Sequence, residues 1–173
     1  MTCGPTGIVN NYTIRPATVA DAVVIAQHRV AMFRDMGDVP TDALAAQLLA
    51  ESTTALTTWL RDRSYVGWLV IYDGHAVIAG AGVHIKPQLP RMSHDGSRVV
   101  TTPIPLAVNV YTQPEWRGRG IARGLMNLLM TWAAGRGTDR VVLHASDTGR
   151  PLYRSLGFEA TNEMRWVPPK QTS

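Results

Sequence analysis

The sequence predicts one mixed α/β domain, and three observations carry that prediction. The chain has 173 residues, the length of one domain, and can bury roughly 70% of its unfolded surface without disulfides or metals. Stretches of helical periodicity alternate with short runs rich in Val, Ile, Tyr and Trp. Gly, Pro and Asp-Gly signals punctuate the chain where these textures change. The expected order is β-α-α-β-β-β-α-β-α-β, with residues 1–11 a flexible leader, 12–168 the domain and 169–173 a tail.

Tyr12 to Arg15 reads as a strand stopped by Pro16. Thr18 and Asp21 have the spacing of a capping box, with Asp in the place of Glu. The helix behind it is expected to bury Val19, Val23, Ala26, Val30 and Phe33 and to end near Met36-Gly37. A second helix runs from Thr41, with Leu44, Leu48, Leu49, Leu56 and Leu60 inward; Ser52-Thr53-Thr54 is a candidate break. Val66 to Tyr72 and Ala76 to Ile85 form a hairpin about Asp73-Gly74. Gly80 and Gly82 in the returning strand mark a bulge or a close backbone approach. Residues 86–99 read as a long loop. Ile104 to Thr112 is a strand, and Gly118 to Ala134 a helix with Ile121, Leu125, Leu128, Leu129 and Trp132 on its apolar stripe. Val141 to Ala145 is a short strand, Pro151 to Leu156 a short helix ended by Gly157, and Phe158 to Val167 a last strand. Trp59, Trp68, Trp132 and Trp166 are expected in the core.

Composition excludes several classes. Apolar residues are 45% and charged residues 17% of the chain, which argues against disorder. The lone Cys3 rules out a disulfide framework, a zinc finger and an iron–sulfur cluster. The histidines have no ligand spacing, so no metal is expected. The net charge of +4 comes from fifteen arginines and two lysines. They form no dense basic run, which argues against nucleic acid as a partner. No apolar run is long enough for a bilayer, and no export signal is read, so a cytoplasmic location with no membrane partner is expected.

The chemistry concentrates in two segments. The first is Gln113-Pro-Glu-Trp-Arg-Gly-Arg-Gly-Ile-Ala122, between a strand and a helix. Its glycines let backbone N–H groups approach a ligand, and the helix behind presents unpaired donors and about half a positive charge. Such a site suits a pyrophosphate, and Arg117, Arg119 and Arg123 add fixed cations. A P-loop is excluded by the lack of Gly-Lys-Ser/Thr, and a dinucleotide fingerprint by Arg at 123. On spacing alone, a surface turn with glycines for geometry and arginines for solubility reads equally well. The second segment, Leu143 to Phe158, holds Tyr153, either a phenolic proton donor or a core-edge residue.

Together the segments resemble the GNAT superfamily of acetyl-CoA-dependent N-acetyltransferases. Arg117-Gly-Arg-Gly-Ile-Ala122 fits the family's Arg/Gln-x-x-Gly-x-Gly/Ala signature, and Leu152-Tyr-Arg-Ser-Leu-Gly-Phe158 its Tyr…Gly-Phe segment. The close similarity covers about residues 104–166. The resemblance implies a mostly antiparallel central sheet, splayed at the acetyl-CoA site and flanked by helices. It implies transfer of an acetyl group to a primary amine of a small molecule. The amides of Gly118, Arg119, Gly120, Ile121 and Ala122 would hold the pyrophosphate. A bulged strand would bring main-chain groups near Val110 and Thr112 to the acetyl carbonyl and pantetheine. The amine would attack directly, and Tyr153 would protonate the departing thiolate. Ser146 stands where the family often has an Asn on the pantetheine, and the position near Leu106 lacks the family's Glu. His84, His94 and Glu115 are candidate bases. Phe33, Asp35 and Asp38, at the end of the first helix, are candidate acceptor contacts, as is His84. Relatives are often homodimers. Two other readings are a non-catalytic acyl-CoA-binding module and an enzyme acting on a protein amine; an RNA-binding protein is a third.

Overall fold

Thr18 and Asp21 set the start of the first helical segment. The Asp21 carboxylate accepts from the Thr18 backbone N–H at 2.7 Å and from its hydroxyl at 2.9 Å, and the Asp21 N–H donates back to the Thr18 carbonyl. This is the expected capping box, and it opens a 3-10 turn over Val19–Asp21 that leads into α1, Ala22–Asp35. The computed structural model describes residues 11–168, so the expected tail and all of the leader but Asn11 lie outside the described residues.

Strand β1 is Tyr12–Pro16, and α2 is Asp42–Arg61. β2, Tyr65–Tyr72, and β3, Ala76–Lys86, pair antiparallel. Their connection is the three residues Asp73 to His75, with Tyr72 paired to Ala76; Asp73 at φ 49° and Gly74 at φ 76° are left-handed, and the turn closes with the His75 N–H on the Tyr72 carbonyl at 3.2 Å. β4, Arg91–Met92, and β5, Val99–Val100, form a separate small hairpin inside the expected loop. β6, Ile104–Thr112, is followed by a 3-10 turn, Pro114–Trp116, and by α3, Ile121–Ala134. β7, Val142–Leu143, and α4, Arg150–Ser155, complete the order.

The main sheet has the order β1-β2-β3-β6-β7. Its first three junctions are antiparallel, and β6 with β7 is parallel. Each face of the sheet has its own core. On one face Trp68, Val70, Val83 and Ala107 meet Ile121, Leu125, Met126 and Leu129 of α3. On the other, Tyr65, Leu69 and Ile71 meet Ala22, Ile25 and Ala26 of α1 and Leu56 of α2. The alternation of β2 between these partners is the period-2 geometry of a strand buried on both sides.

Several expectations are corrected. The buried stripe of α1 is Ala22, Ile25 and Ala26, while Val19 and Val23 are exposed. The stripe is rotated by about one residue, because the helix starts after the 3-10 turn. In α2, Leu44 faces solvent and Ala45, Ser52 and Leu56 face inward. The Ser-Thr-Thr cluster does not break α2. The Thr53, Thr54, Thr57 and Thr58 hydroxyls donate to carbonyls one turn back, so these side chains do not compete with the helix. Phe158 to Val167 forms no strand, and Trp166 is 79% exposed instead of buried. Alternation marks a chain that can pair, but pairing needs an edge in register, and this segment joins no ladder among the described residues.

Candidate active site

The site is organised by a bulge in β6. Gly80 pairs with Tyr111 and Gly82 with Val108, so Asn109 and Val110 stand opposite Ala81 alone. Asn109 adopts φ 54°, a left-handed conformation that Asn tolerates better than most residues. Val108 packs on the α1–α2 side and Val110 on the α3 side. Buried Asn109 turns toward α1: its Oδ1 accepts from Arg29 Nη1 at 2.8 Å, and its Nδ2 lies 3.5 Å from the Tyr65 hydroxyl.

Tyr65 explains one glycine of β3. A Cβ on Gly82 would stand 2.0 Å from the Tyr65 hydroxyl oxygen, so only glycine admits the ring. The expected feature in β3 is thus a close approach, and the bulge lies on the opposite strand. Burial pushes the Tyr65 phenol up to about 12, against the weaker opposing effects of Asn109 and Arg29, so it is neutral at physiological pH.

Beyond the bulge the sheet opens. β7 pairs with β6 only through Leu106↔Val142 and Ala107↔Leu143. From Val108 to Thr112 that edge of β6 has no strand beside it among the described residues, and apart from the Thr112 carbonyl, which Arg117 holds, its outward main-chain groups are open to a ligand. The Thr112 hydroxyl is buried with no partner.

The glycine loop follows directly. Gly118 and Gly120 have φ of 74° and 79°, and neither position has a heavy atom within 4 Å of where a Cβ would stand. The first helical bond of α3 runs from Gly124 N–H to Gly120 C=O. The amides of Ile121, Ala122 and Arg123 therefore form the unpaired first turn, immediately after the glycines.

The three loop arginines are braced by the protein itself. Arg117 donates Nε–H to the Thr112 carbonyl at 2.9 Å and pairs through Nη2 with Asp35 at the end of α1. Arg119 donates to the Glu115 carbonyl at 3.1 Å and lies over the Trp116 ring at 4.7 Å. Arg123 reaches the Ser155 hydroxyl in α4 at 2.7 Å. The partners of Arg119 and Arg123 are neutral, and among the described residues neither arginine is in an ion pair. Trp116 is a packing residue, tilted on Tyr72 at 4.5 Å.

Tyr153 stands on α4 among the side chains that line the α3-side core, as does Val110. Its ring meets Phe158 edge-on at 6.0 Å. Its hydroxyl makes no hydrogen bond among the described residues and is not sealed from solvent. Burial raises its pKa above the ordinary phenol value, so the proton is held at neutral pH. Ser146 Oγ accepts from the Gly149 N–H at 3.2 Å and lies 3.2 Å from the Thr148 hydroxyl. It thereby ties down the turn into α4.

Of the candidate acceptor contacts, Asp35 meets the loop through Arg117, and Phe33 lies under the Arg29 guanidinium at 4.8 Å from the ring centroid. Asp38 is exposed on the turn after α1. His84 pairs with Leu106 and Tyr65, on the far side of the bulge from the loop, and stacks on Trp59 at 4.1 Å. Burial first, then nearby Lys86, lowers its pKa, so it is neutral at pH 7. His94 has its backbone N–H on Asp139, in the β4–β5 region. On the α1 face, a cleft of about 540 Å³ is lined by His28, Ala31, Tyr111 and Gln113 among others. Burial lowers the pKa of His28. The residues missed from sequence are Arg29, Tyr65 and Asn109. The available signal was Asn109 itself, an amide in the middle of the apolar run Ile104 to Tyr111.

Comparison with known proteins decides the family. The profile of the acetyltransferase (GNAT) family matches residues 32–158. The chain belongs to this family. A crystal structure of a GCN5-related N-acetyltransferase from Ralstonia eutropha JMP134 is 34% identical, with TM-score 0.79, covering 91% of this chain and 98% of that one. A predicted acetyltransferase from Clostridium acetobutylicum, solved with acetyl-CoA, is 26% identical with TM-score 0.76, covering 91% and 96%. An aminoglycoside N(6')-acetyltransferase type 1 from Stenotrophomonas maltophilia is 25% identical over 158 residues, 88% of this chain and 89% of that protein. As a GNAT protein the chain is an N-acetyltransferase with acetyl-CoA as co-substrate, and its sheet is the mostly antiparallel one of that fold. Among the described residues no cluster of His, Cys, Asp and Glu could hold a metal ion, and no helix is long and apolar enough to cross a membrane.

Proposed function

We propose that residues 12–168 form one enzyme unit that transfers an acetyl group to the primary amine of a small molecule, with Tyr153 as general acid. The observation that carries this reading is the Tyr153 hydroxyl. It is protonated, has no hydrogen-bond partner among the described residues and is not sealed from solvent, on the side of the sheet to which Val110 also turns. The printed activity of the Stenotrophomonas relative supports a small-molecule amine as acceptor.

The residues present fit acetyl-CoA. The free amides of Gly118 to Ala122 and the charges of Arg119 and Arg123 match a pyrophosphate. The open edge of β6 at Val110 and Thr112 matches the amides of a pantetheine chain, apart from the Thr112 carbonyl, which Arg117 holds. Acetyl-CoA supplies an activated thioester. The chain's part is to orient it along β6, offer main-chain N–H groups at the bulge to a carbonyl oxygen whose charge is growing, and deliver a proton from Tyr153 Oη to the leaving sulfur. Arg117 holds the loop against α1, and Ser146 sets the start of α4, so both position the proton donor and the coenzyme loop relative to each other.

The test is Tyr153→Phe, assayed by thiol release with acetyl-CoA and an amine panel, beside calorimetry with acetyl-CoA. A loss of about 10²–10⁴-fold in kcat is expected for an acid in this role, with acetyl-CoA affinity changed by less than threefold. Undiminished turnover by Tyr153→Phe would refute the assignment.

A further inference from the structure

We propose that the acceptor carries an anionic group beside its amine, a carboxylate or a phosphate, and that Arg29 receives it. The inference rests on the acetyl-transfer reading above and names its substrate class.

Arg29 projects from α1 to the bulge of β6. It spends one N–H on Asn109 Oδ1 at 2.8 Å and lies over Phe33. Neither partner carries a negative charge. The other arginines about the first helix are neutralised: Arg15 by Asp21 at 2.7 Å, Arg34 by Asp42 at 2.7 Å, and Arg117 by Asp35. Arg29 has no carboxylate within 4.0 Å among the described residues. It is also half-buried, and burial lowers its pKa from the ordinary arginine value. A desolvated guanidinium without counter-charge is costly, yet Asn109 and Phe33 hold this one in place. Its remaining donors, on Nε and Nη2, have no partner among the described residues and are not sealed from solvent.

A guanidinium fork with free donors fits an oxyanion with two acceptor oxygens. Its place decides which oxyanion. Arg29 is bonded to the residue that forms the bulge, while the free amides of the coenzyme loop begin beyond Thr112 with their own cations. The anion at Arg29 is therefore on the acceptor, close to the amine that must reach the bulge. The same arrangement disfavours a polycation. Asp35 is already taken by Arg117, and Asp38 and Glu115, which have no ion-pair partner among the described residues, are exposed on turns.

The experiment is thiol release with acetyl-CoA over paired amines. Amino acids are set against their amides, glucosamine 6-phosphate against glucosamine, and an aminoglycoside stands for the polycations. Wild-type protein is compared with Arg29→Gln and Arg29→Lys, with acetyl-CoA affinity measured by calorimetry and folding by thermal melts. The expected result is at least a tenfold higher kcat/KM for the anionic member of one pair, and the pair that shows it separates carboxylate from phosphate. In Arg29→Gln that ratio collapses toward one through KM, while acetyl-CoA affinity is retained. Arg29→Lys keeps the charge but loses the fork, and its ratio falls partway; it carries the test if Arg29→Gln does not fold. Equal or better turnover of neutral or polycationic amines overturns this inference alone, as does an anion preference unchanged in both variants. No release with any amine, despite acetyl-CoA binding, overturns the small-molecule reading and this inference with it.

Discussion

Replacing Asn109 tests whether the bulge is built by its side chain or by its backbone. Asn109→Ala removes the bond accepted from Arg29 at 2.8 Å. A hydrogen bond to a charged group contributes about 1.5–3 kcal/mol. The 3.5 Å contact with Tyr65 is too long to add much. Alanine must also hold φ 54°, where a side chain without a local hydrogen bond costs roughly 1–2 kcal/mol. The sum is about 2.5–5 kcal/mol, or about 5–20 °C in Tm for a chain of this size. Asn109→Gly loses the same bond but not the backbone conformation. Net of its greater chain entropy it should be more stable than the alanine variant by about 0.5–1 kcal/mol. Thermal and urea melts measure both, and in both variants kcat/KM should fall because Arg29 loses its anchor. An Asn109→Ala variant within 0.5 kcal/mol of wild type on the same scale, or a glycine variant less stable than the alanine one, would refute the reasoning.

Gly82→Ala places a methyl 2.0 Å from the Tyr65 hydroxyl; overpacking should lower stability by about 1–3 kcal/mol or more, measured by urea titration, and Tyr65→Phe should not rescue it, because ring carbons are also within 2.7 Å. Gly120→Ala meets no atom but must keep φ 79°, so about 1–2 kcal/mol of stability should go, and calorimetry should show weaker acetyl-CoA binding as the methyl enters the space before the free amides. The Asp21 carboxyl is lowered from 3.8 to about 2, first by its bonds with Arg15 and then by those with Thr18. A lowered carboxyl stabilises above its unfolded pKa and loses that contribution as pH falls through the folded one. With the guanidinium partly exposed, the pair should contribute about 1 kcal/mol near neutrality; the stability gap between wild type and Asp21→Asn should narrow between pH 4 and pH 2, and a gap constant over that window would count against the assignment.

Local chemistry made much of this protein legible. The capping box of Thr18 and Asp21, the Asp73-Gly74 turn and the glycine loop before α3 act within four or five residues, so the sequence states them directly. The two motif segments also led to the family, because an anion loop needs its residues contiguous. Helix faces were read less well: one 3-10 turn before α1 rotated its buried stripe away from Val19 and Val23.

Long-range pairing was beyond the sequence. Phe158 to Val167 alternates as a strand would, but whether an edge lies in register is settled elsewhere in the chain. The bulge shows the same division. Gly80 and Gly82 signalled something unusual in β3, yet the extra residue sits in β6, because Gly82 yields its space to Tyr65 and Asn109 turns over to meet it. Arg29, Asn109 and Tyr65 are 80 and 44 residues apart in their two contacts. The sequence alone determined the helices, the long strands, the glycine loop before α3 and the short helix that carries Tyr153, since each is specified by neighbours along the chain. Only the tertiary structure decided where the sheet opens and which cation is left unpaired beside it, since both depend on side chains that meet only after the sheet and α1 have packed.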